Sequence, residues 1–216
     1  MKEQLLKAYQ GRQAEFKSVR AKFSDDDMAG PLLMSPNGKY ANQPNPLLII
    51  GQETYGWDYN VDDLVEQMDV YENFNVGEEY FASPFWNVTR KVEKALGNEP
   101  YSCAWTNISK FDIAGGRSFG EHQIAIATFD NLLLEEIHIL KPKVCIFFTG
   151  PDFDIRIKNI FTEVEFKIIE NQPINQFCQL KHKDLPEFTF RSYHPNYLRR
   201  KGLETDFIKF ITDLVK

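Results

Sequence analysis

Three short stretches carry side chains that could do chemistry together. The first is Gly51-Gln52-Glu53-Thr54-Tyr55-Gly56, which follows the unbroken apolar run Pro46-Leu47-Leu48-Ile49-Ile50. A run with no polar alternation reads as a strand buried on both faces, so the polar residues after Gly51 stand beyond its carboxyl end, where open α/β sheets keep their ligand sites. A carboxylate held there, half dehydrated and near backbone N–H groups, is suited to act as a base. The same residues also fit a strand followed by a turn with one exposed acid. The second stretch is Thr106-Asn107, closing the apolar segment Tyr101 to Thr106, and the third is His194-Pro195-Asn196, directly after Phe188-Thr189-Phe190-Arg191-Ser192-Tyr193. A histidine before proline serves equally as a turn residue or as a proton donor.

The elements that must position these residues follow from periodicity. Apolar positions from Leu5 to Phe23 suit an amphipathic helix over 1–23, and residues 31–46 form a loop into the first strand. Val61, Leu64, Val65 and Met68 predict a short surface helix, followed by an acidic excursion to Tyr80. Ser83-Pro84 opens a helix that carries Phe85, Val88, Val92 and Leu96 on one face, with Ser83 as cap. A long helical pattern runs from Ile124 to Leu140, and Val144 to Phe148 is another buried strand. A helix around Ile155 to Phe161, weaker strand material at 164–170 and a closing helix from Glu204 complete the chain. Strands alternating with helices predict an α/β protein, a three-layer α/β/α sandwich with a central, mostly parallel four-stranded sheet.

The chain has 216 residues, 43% hydrophobic and 14% aromatic, enough for one domain, 1–216, with 1–45 as a helical lead-in. No run approaches the roughly 18–20 apolar residues of a membrane span, and the start lacks the regions of a signal peptide, so a soluble, cytoplasmic monomer is expected. Cys103, Cys145 and Cys178 read as buried thiols and not as a disulfide framework or metal cluster. The net charge of -6 argues against a protein that coats nucleic acid, although a local basic edge can still hold phosphates.

Taken in order, the three stretches resemble motifs of the uracil-DNA glycosylase superfamily, over about residues 46–200. Gly51-Gln52-Glu53-Thr54-Tyr55-Gly56 stands where that family has Gly-Gln-Asp-Pro-Tyr-His or Gly-Glu-x-Pro-Gly. His194-Pro195-Asn196-Tyr197-Leu198 and Thr106-Asn107-Ile108-Ser109-Lys110 are similar to segments of the thermophile-type branch. Phe81-Ala82-Ser83-Pro84-Phe85-Trp86 is similar to one in the mismatch-specific branch. The four cysteines of the thermophile-type iron–sulfur cluster are absent, and no metal or redox cofactor is expected.

The resemblance implies a base-excision enzyme whose partner is DNA containing uracil or a related damaged base. Glu53 and His194 would be catalytic, the first orienting water and offsetting the sugar cation, the second donating to the departing base. Gly51, Gln52, Tyr55, Phe81 and Asn107 would bind substrate: Asn107 pairs with the base edge, Phe81 stacks on it, and Tyr55 walls the pocket against a methyl group. Asn196, Tyr197, Leu198, Arg199 and Arg200 would meet DNA, with Tyr197 and Leu198 entering the duplex and the arginines, with Lys201, holding phosphates. Two departures bear on this chemistry. Glu53 is one methylene longer than the family's Asp, and Thr54 in place of proline is expected to loosen the loop. The competing expectation is a catalytically silent member of the fold that binds a nucleobase or nucleic acid, or that serves as a protein-interaction module.

Overall fold

The computed structural model describes residues 1–57, 60–79, 83–169 and 172–215. Two helices open the chain, α1 (Lys2–Gln10) and α2 (Gln13–Lys22), in place of the single helix expected, because Gly11 closes α1 and the chain turns before Gln13. A short strand β1 (Met28–Ala29) precedes β2 (Leu47–Gly51), α3 (Leu64–Phe74), α4 (Pro84–Ala95) and β3 (Ala104–Asn107). Then follow β4 (Asp112–Ile113), α5 (Gly120–Ala127), α6 (Leu132–Leu140), β5 (Val144–Phe147) and α7 (Asp154–Ile160). The chain ends with β6 (Glu165–Ile168), β7 (Phe177–Lys181), β8 (Phe188–Ser192), α8 (Pro195–Arg200) and α9 (Glu204–Leu214).

The central sheet has six strands in the order β3-β2-β5-β8-β7-β6. Its first four are parallel, and β7 and β6 continue it antiparallel. The four-stranded expectation therefore left out β7 of this hairpin, while the strand material expected at 164–170 holds β6. Phe177, Cys178 and Leu180 are buried while Gln179 and Lys181 are partly exposed, a short alternation that a sheet with one open face permits. The hairpin is fastened by Arg191 of β8, whose guanidinium donates to the carbonyls of Ile174 and Asn175 and pairs with Asp154 at 3.0 Å. Helices α4, α8 and α9 pack together, as do α1, α3 and α6. Among the described residues, no helix is long and apolar enough to cross a membrane.

Local chemistry sets the element ends. Ser83 accepts from the Trp86 N–H and Pro84 occupies the first turn of α4, as the sequence predicts. The pattern over 124–140 breaks into α5 and α6, because the Thr128 hydroxyl turns back to the Ala125 carbonyl and Asp130 leaves the helix to bind Arg156. The outer edge of β3 is closed by a side chain: the Tyr71 hydroxyl accepts from the Trp105 N–H at 2.8 Å and donates to the Trp105 carbonyl at 3.0 Å. At the start of the same strand, the buried Glu93 carboxylate accepts from the N–H groups of Ser102 and Cys103.

Beneath the carboxyl end of β3 lies a buried ionic cluster. Lys110 Nζ donates to both oxygens of Glu136 at 2.7 and 2.8 Å and to the Thr106 hydroxyl at 2.6 Å. Tyr9 of α1 donates to Glu136 at 3.0 Å, so the N-terminal helix is bonded into the centre of the fold. Burial pushes the Lys110 ammonium down from its ordinary value, and Glu136 opposes it. Removing one partner leaves an uncompensated charge, so Glu136→Leu should lower unfolding free energy by about 3–5 kcal/mol. The double variant Lys110→Met/Glu136→Leu should recover most of that loss in urea denaturation, the pair being replaceable by apolar groups of similar volume.

Candidate active site

Strand β2 lies between β3 and β5, and the chain leaves β2 toward β3 but leaves β5 toward β8, so the loops after the neighbouring strands β2 and β5 diverge. At the carboxyl ends of the parallel strands is a pocket of about 610 Å³, lined among others by Glu53, Asn107, His194, Phe85 and Trp105. The strand ends are tied to one another around it. Ile108 and Ser109 donate to the Gly51 and Gln52 carbonyls at 3.1 and 2.9 Å, and Gly150 donates to the Ser192 carbonyl at 2.9 Å. The three sequence stretches thus meet at one site.

The Glu53 loop is shaped by a residue outside those stretches. Asp112 of β4, fully buried, accepts from the Thr54 hydroxyl and, with the same oxygen, from the Gly56 and Trp57 N–H groups at 3.1 and 3.4 Å. Its other oxygen accepts from the Gly115 N–H at 2.9 Å. Thr54 is thereby drawn inward and the following residue is turned out, with Gly56 taking a φ of 71° that favours glycine. Glu53 faces the pocket, one carboxylate oxygen buried without a hydrogen-bond partner. Burial pushes its carboxyl up to about 7, against the opposing pull of Arg117 and Arg156.

Asn107 and Trp105 share one face of β3, two residues apart, while Thr106 points the other way into the Lys110 cluster. Gly51 is required beside Asn107, because a Cβ there would collide with the Asn107 side-chain oxygen and lie 3.6 Å from the Phe85 ring. The Asn107 amide nitrogen is buried and unpartnered. His194 caps α8, its Nδ1 accepting from the Asn196 N–H at 3.2 Å, so in the neutral ring the proton sits on Nε2. Burial also lowers the His194 pKa, which favours that neutral form. The Phe85 ring stands 5.7 Å from the imidazole.

Several expectations change. Gln52 lines the pocket, but its side-chain amide is engaged with the Thr149 carbonyl at 2.7 Å, tying β2 to β5. Tyr55 stands at the pocket's mouth, 90% exposed, and so is no wall against a methyl group. The cause is the Thr54–Asp112 bond, which reverses the side-chain directions along the loop. Leu198 is 3% exposed, on the buried face of α8 beside Leu203 and Phe207, so it is not available to enter a duplex. Asn196, Arg199 and Arg200 are exposed and Tyr197 half-buried; Arg199 pairs with Glu204, which also holds Lys91. Phe81 lies outside the described residues.

Sequence reasoning missed Phe85, Trp105 and Asp112. Phe85 shares one helix face with Val88, Val92 and Leu96 in the sequence, and nothing in the string separates a core aromatic from one lining a pocket. Asp112, three residues before Gly115-Gly116, did carry a turn signal, since an Asp side chain commonly accepts from the backbone of a following glycine turn. Among the described residues, no three of His, Cys, Asp and Glu converge as metal ligands. No protein-family model and no curated protein matches this chain.

The raised Glu53 pKa has a consequence for stability. Between the unfolded carboxyl's ordinary value and about 7, the folded state binds the extra proton, so folding stability falls as pH rises through that window. Glu53→Gln should remove this loss. Its stability advantage over the native protein should grow from pH 5 and level off above about 7, the whole rise being about 3 kcal/mol, in denaturant titrations at each pH. An advantage that does not change with pH would contradict the assignment.

Proposed function

We propose that the chain is a hydrolase of the N-glycosidic bond, releasing uracil or a related damaged base from DNA, with the α/β/α sandwich as its scaffold. The reading rests on one observation: a carboxyl group poised near neutrality and a histidine held as its Nε2–H tautomer line the same pocket. Scission of the bond to a base leaves positive character on the sugar and negative charge on the base, so a site needs an anion beside one and a donor beside the other. In the ionised form, Glu53 offsets the sugar cation and orients water. His194 donates from Nε2 to the oxygen of the leaving base without itself being a cation, and Asn107 meets the base edge. Phe85 supplies the aromatic face that the sequence reading gave to Phe81.

A second reading is favoured by the same pKa. Protonated Glu53 is a hydrogen-bond donor, and with Asn107 it would hold a base without attacking the sugar, making the chain a nucleobase-binding or interaction module. The two readings separate in one assay, release of free base from uracil-containing strands and duplexes. The enzyme reading expects release that Glu53→Gln and His194→Ala each slow by roughly 100-fold while DNA binding persists, since both groups act mainly in the transition state. Because Glu53 must be ionised, the rate should climb with pH through about 7, with no loss of activity between 6 and 7 from a titrating histidine. No release from any of uracil, hypoxanthine, xanthine or mispaired thymine would leave only the binding module.

A further inference from the structure

An open rim of aromatic and cationic side chains runs from one side of the pocket mouth. The Tyr55 ring lies along Gly115, where a Cβ would stand 3.5 Å from it. Two residues on, Arg117 lies 5.8 Å from the Phe119 ring and 4.7 Å from Phe153, and pairs with Asp152 at 3.0 Å. Asp152 follows Gly150, against which Tyr193 packs at 3.4 Å from the position a Cβ would take. Tyr193 in turn packs against Tyr197 with ring centroids 4.1 Å apart and the planes tilted by 31°, and Lys201 lies 5.9 Å from the Tyr197 ring.

Phe119 is 68% exposed and Tyr55 90%, so the faces of both rings are open to a partner beside the pocket mouth. The side chains are not packed on the core, so they contribute little to folding. Their flat faces and the interleaved cations fit successive bases and phosphates of an unpaired strand, since every base offers a face for stacking and the stacking needs no hydrogen-bond code.

A second, independent observation weighs against the duplex as the favoured partner. Of the two residues expected to enter a base stack, Leu198 is packed inside beside Leu203 and Phe207, and Tyr197 is half-buried with its ring against Tyr193. Extruding a base from a duplex costs several kcal/mol in lost stacking and pairing, and that cost is least for a base that is already unpaired. A chain with a net charge of -6 also meets less repulsion from a single strand, whose charge density is lower than that of a duplex.

We propose that the rim formed by Tyr55, Arg117, Phe119, Tyr193, Tyr197 and Lys201 is a binding surface for single-stranded DNA, whose bases stack on its exposed rings. The strand supplies the pocket with an unpaired nucleotide, so no wedge is needed. As a statement about substrate class, it rests on the reading of the pocket as a nucleobase site. The rim itself is tested without any base release.

The experiment measures fluorescence anisotropy of a labelled oligothymidine, which has no uracil, and of the same strand annealed to its complement, using the full chain. The single strand should bind more tightly than the duplex, with affinity falling as salt rises. Phe119→Ala and Tyr55→Ala should each weaken strand binding by roughly 5-fold or more, the loss expected for one stacked base. Both positions are exposed, so an unchanged melting temperature shows that the fold is intact. Equal or tighter binding of the duplex, or strand binding unaltered in both variants, overturns the proposal. Strand binding as expected, with no base released from uracil strands, supports the rim and sinks the glycosylase reading alone.

Discussion

The hydrogen bonds gathered by Asp112 are the constraint on which the site depends. A carboxylate with no exposed surface is costly unless its oxygens are filled, and here one hydroxyl and three backbone N–H groups fill them. Each such charge-assisted bond contributes about 1.5–3 kcal/mol when measured against its loss. The bonds join the loop after β2 to the turn at 113–116, so neither can move without the other. Asp112 itself is set by pairing with Ala29 in β1, and Leu32 donates to the Lys110 carbonyl at 2.8 Å. The lead-in is therefore part of the site's foundation and not an appendage.

Two further buried ion pairs brace the floor. Arg156 donates to Asp130 and, at 2.7 Å, to the Ser109 hydroxyl, fixing the segment just after Asn107. Lys110 and Glu136 fix Thr106, its neighbour on the other side. Asn107 is thus held from both flanks by buried ionic contacts. Arg156, together with Arg117, also acts at a distance on Glu53, its charge opposing the rise that burial imposes on the Glu53 pKa. Such networks contribute little net stability when weighed against well-packed apolar residues, so their value here lies in holding one geometry.

The parallel part of the fold was legible because its cues are local: unbroken apolar runs closed by glycine for β2 and β5, and the Ser83-Pro84 cap for α4. Of the antiparallel hairpin only β6 was legible, as weak strand material at 164–170; β7 was not, since its alternation is short and the loop before it lacks a tight-turn dipeptide. Among the site residues, Glu53, Asn107 and His194 were legible by position, as polar groups at the ends of buried strands. The directions of Tyr55 and Leu198 were not. Each depends on a partner distant in sequence, Asp112 acting through Thr54 for the first and α9 for the second, and no local pattern encodes such a pairing.

Thr54 shows how that long-range bond alters the meaning of the sequence. Read alone, a threonine where proline is expected removes a rigid φ and gives the loop more freedom. Bonded to a buried carboxylate, it restrains the loop by a different means, since its hydroxyl is fixed to β4 while its neighbours at 56 and 57 donate to the same oxygen. The Glu53 side chain is carried on this restrained loop, and its carboxyl reaches the pocket. The restraint has an electrostatic consequence: holding Glu53 inward keeps it desolvated, which raises its carboxyl to about 7 and leaves it only partly ionised there, so geometry is gained at the expense of charge. A loop that let Glu53 swing into water would restore an ordinary acid and lose the position from which it could act. Thr54 and Asp112 thus set where the carboxyl stands and, through its burial, how readily it ionises.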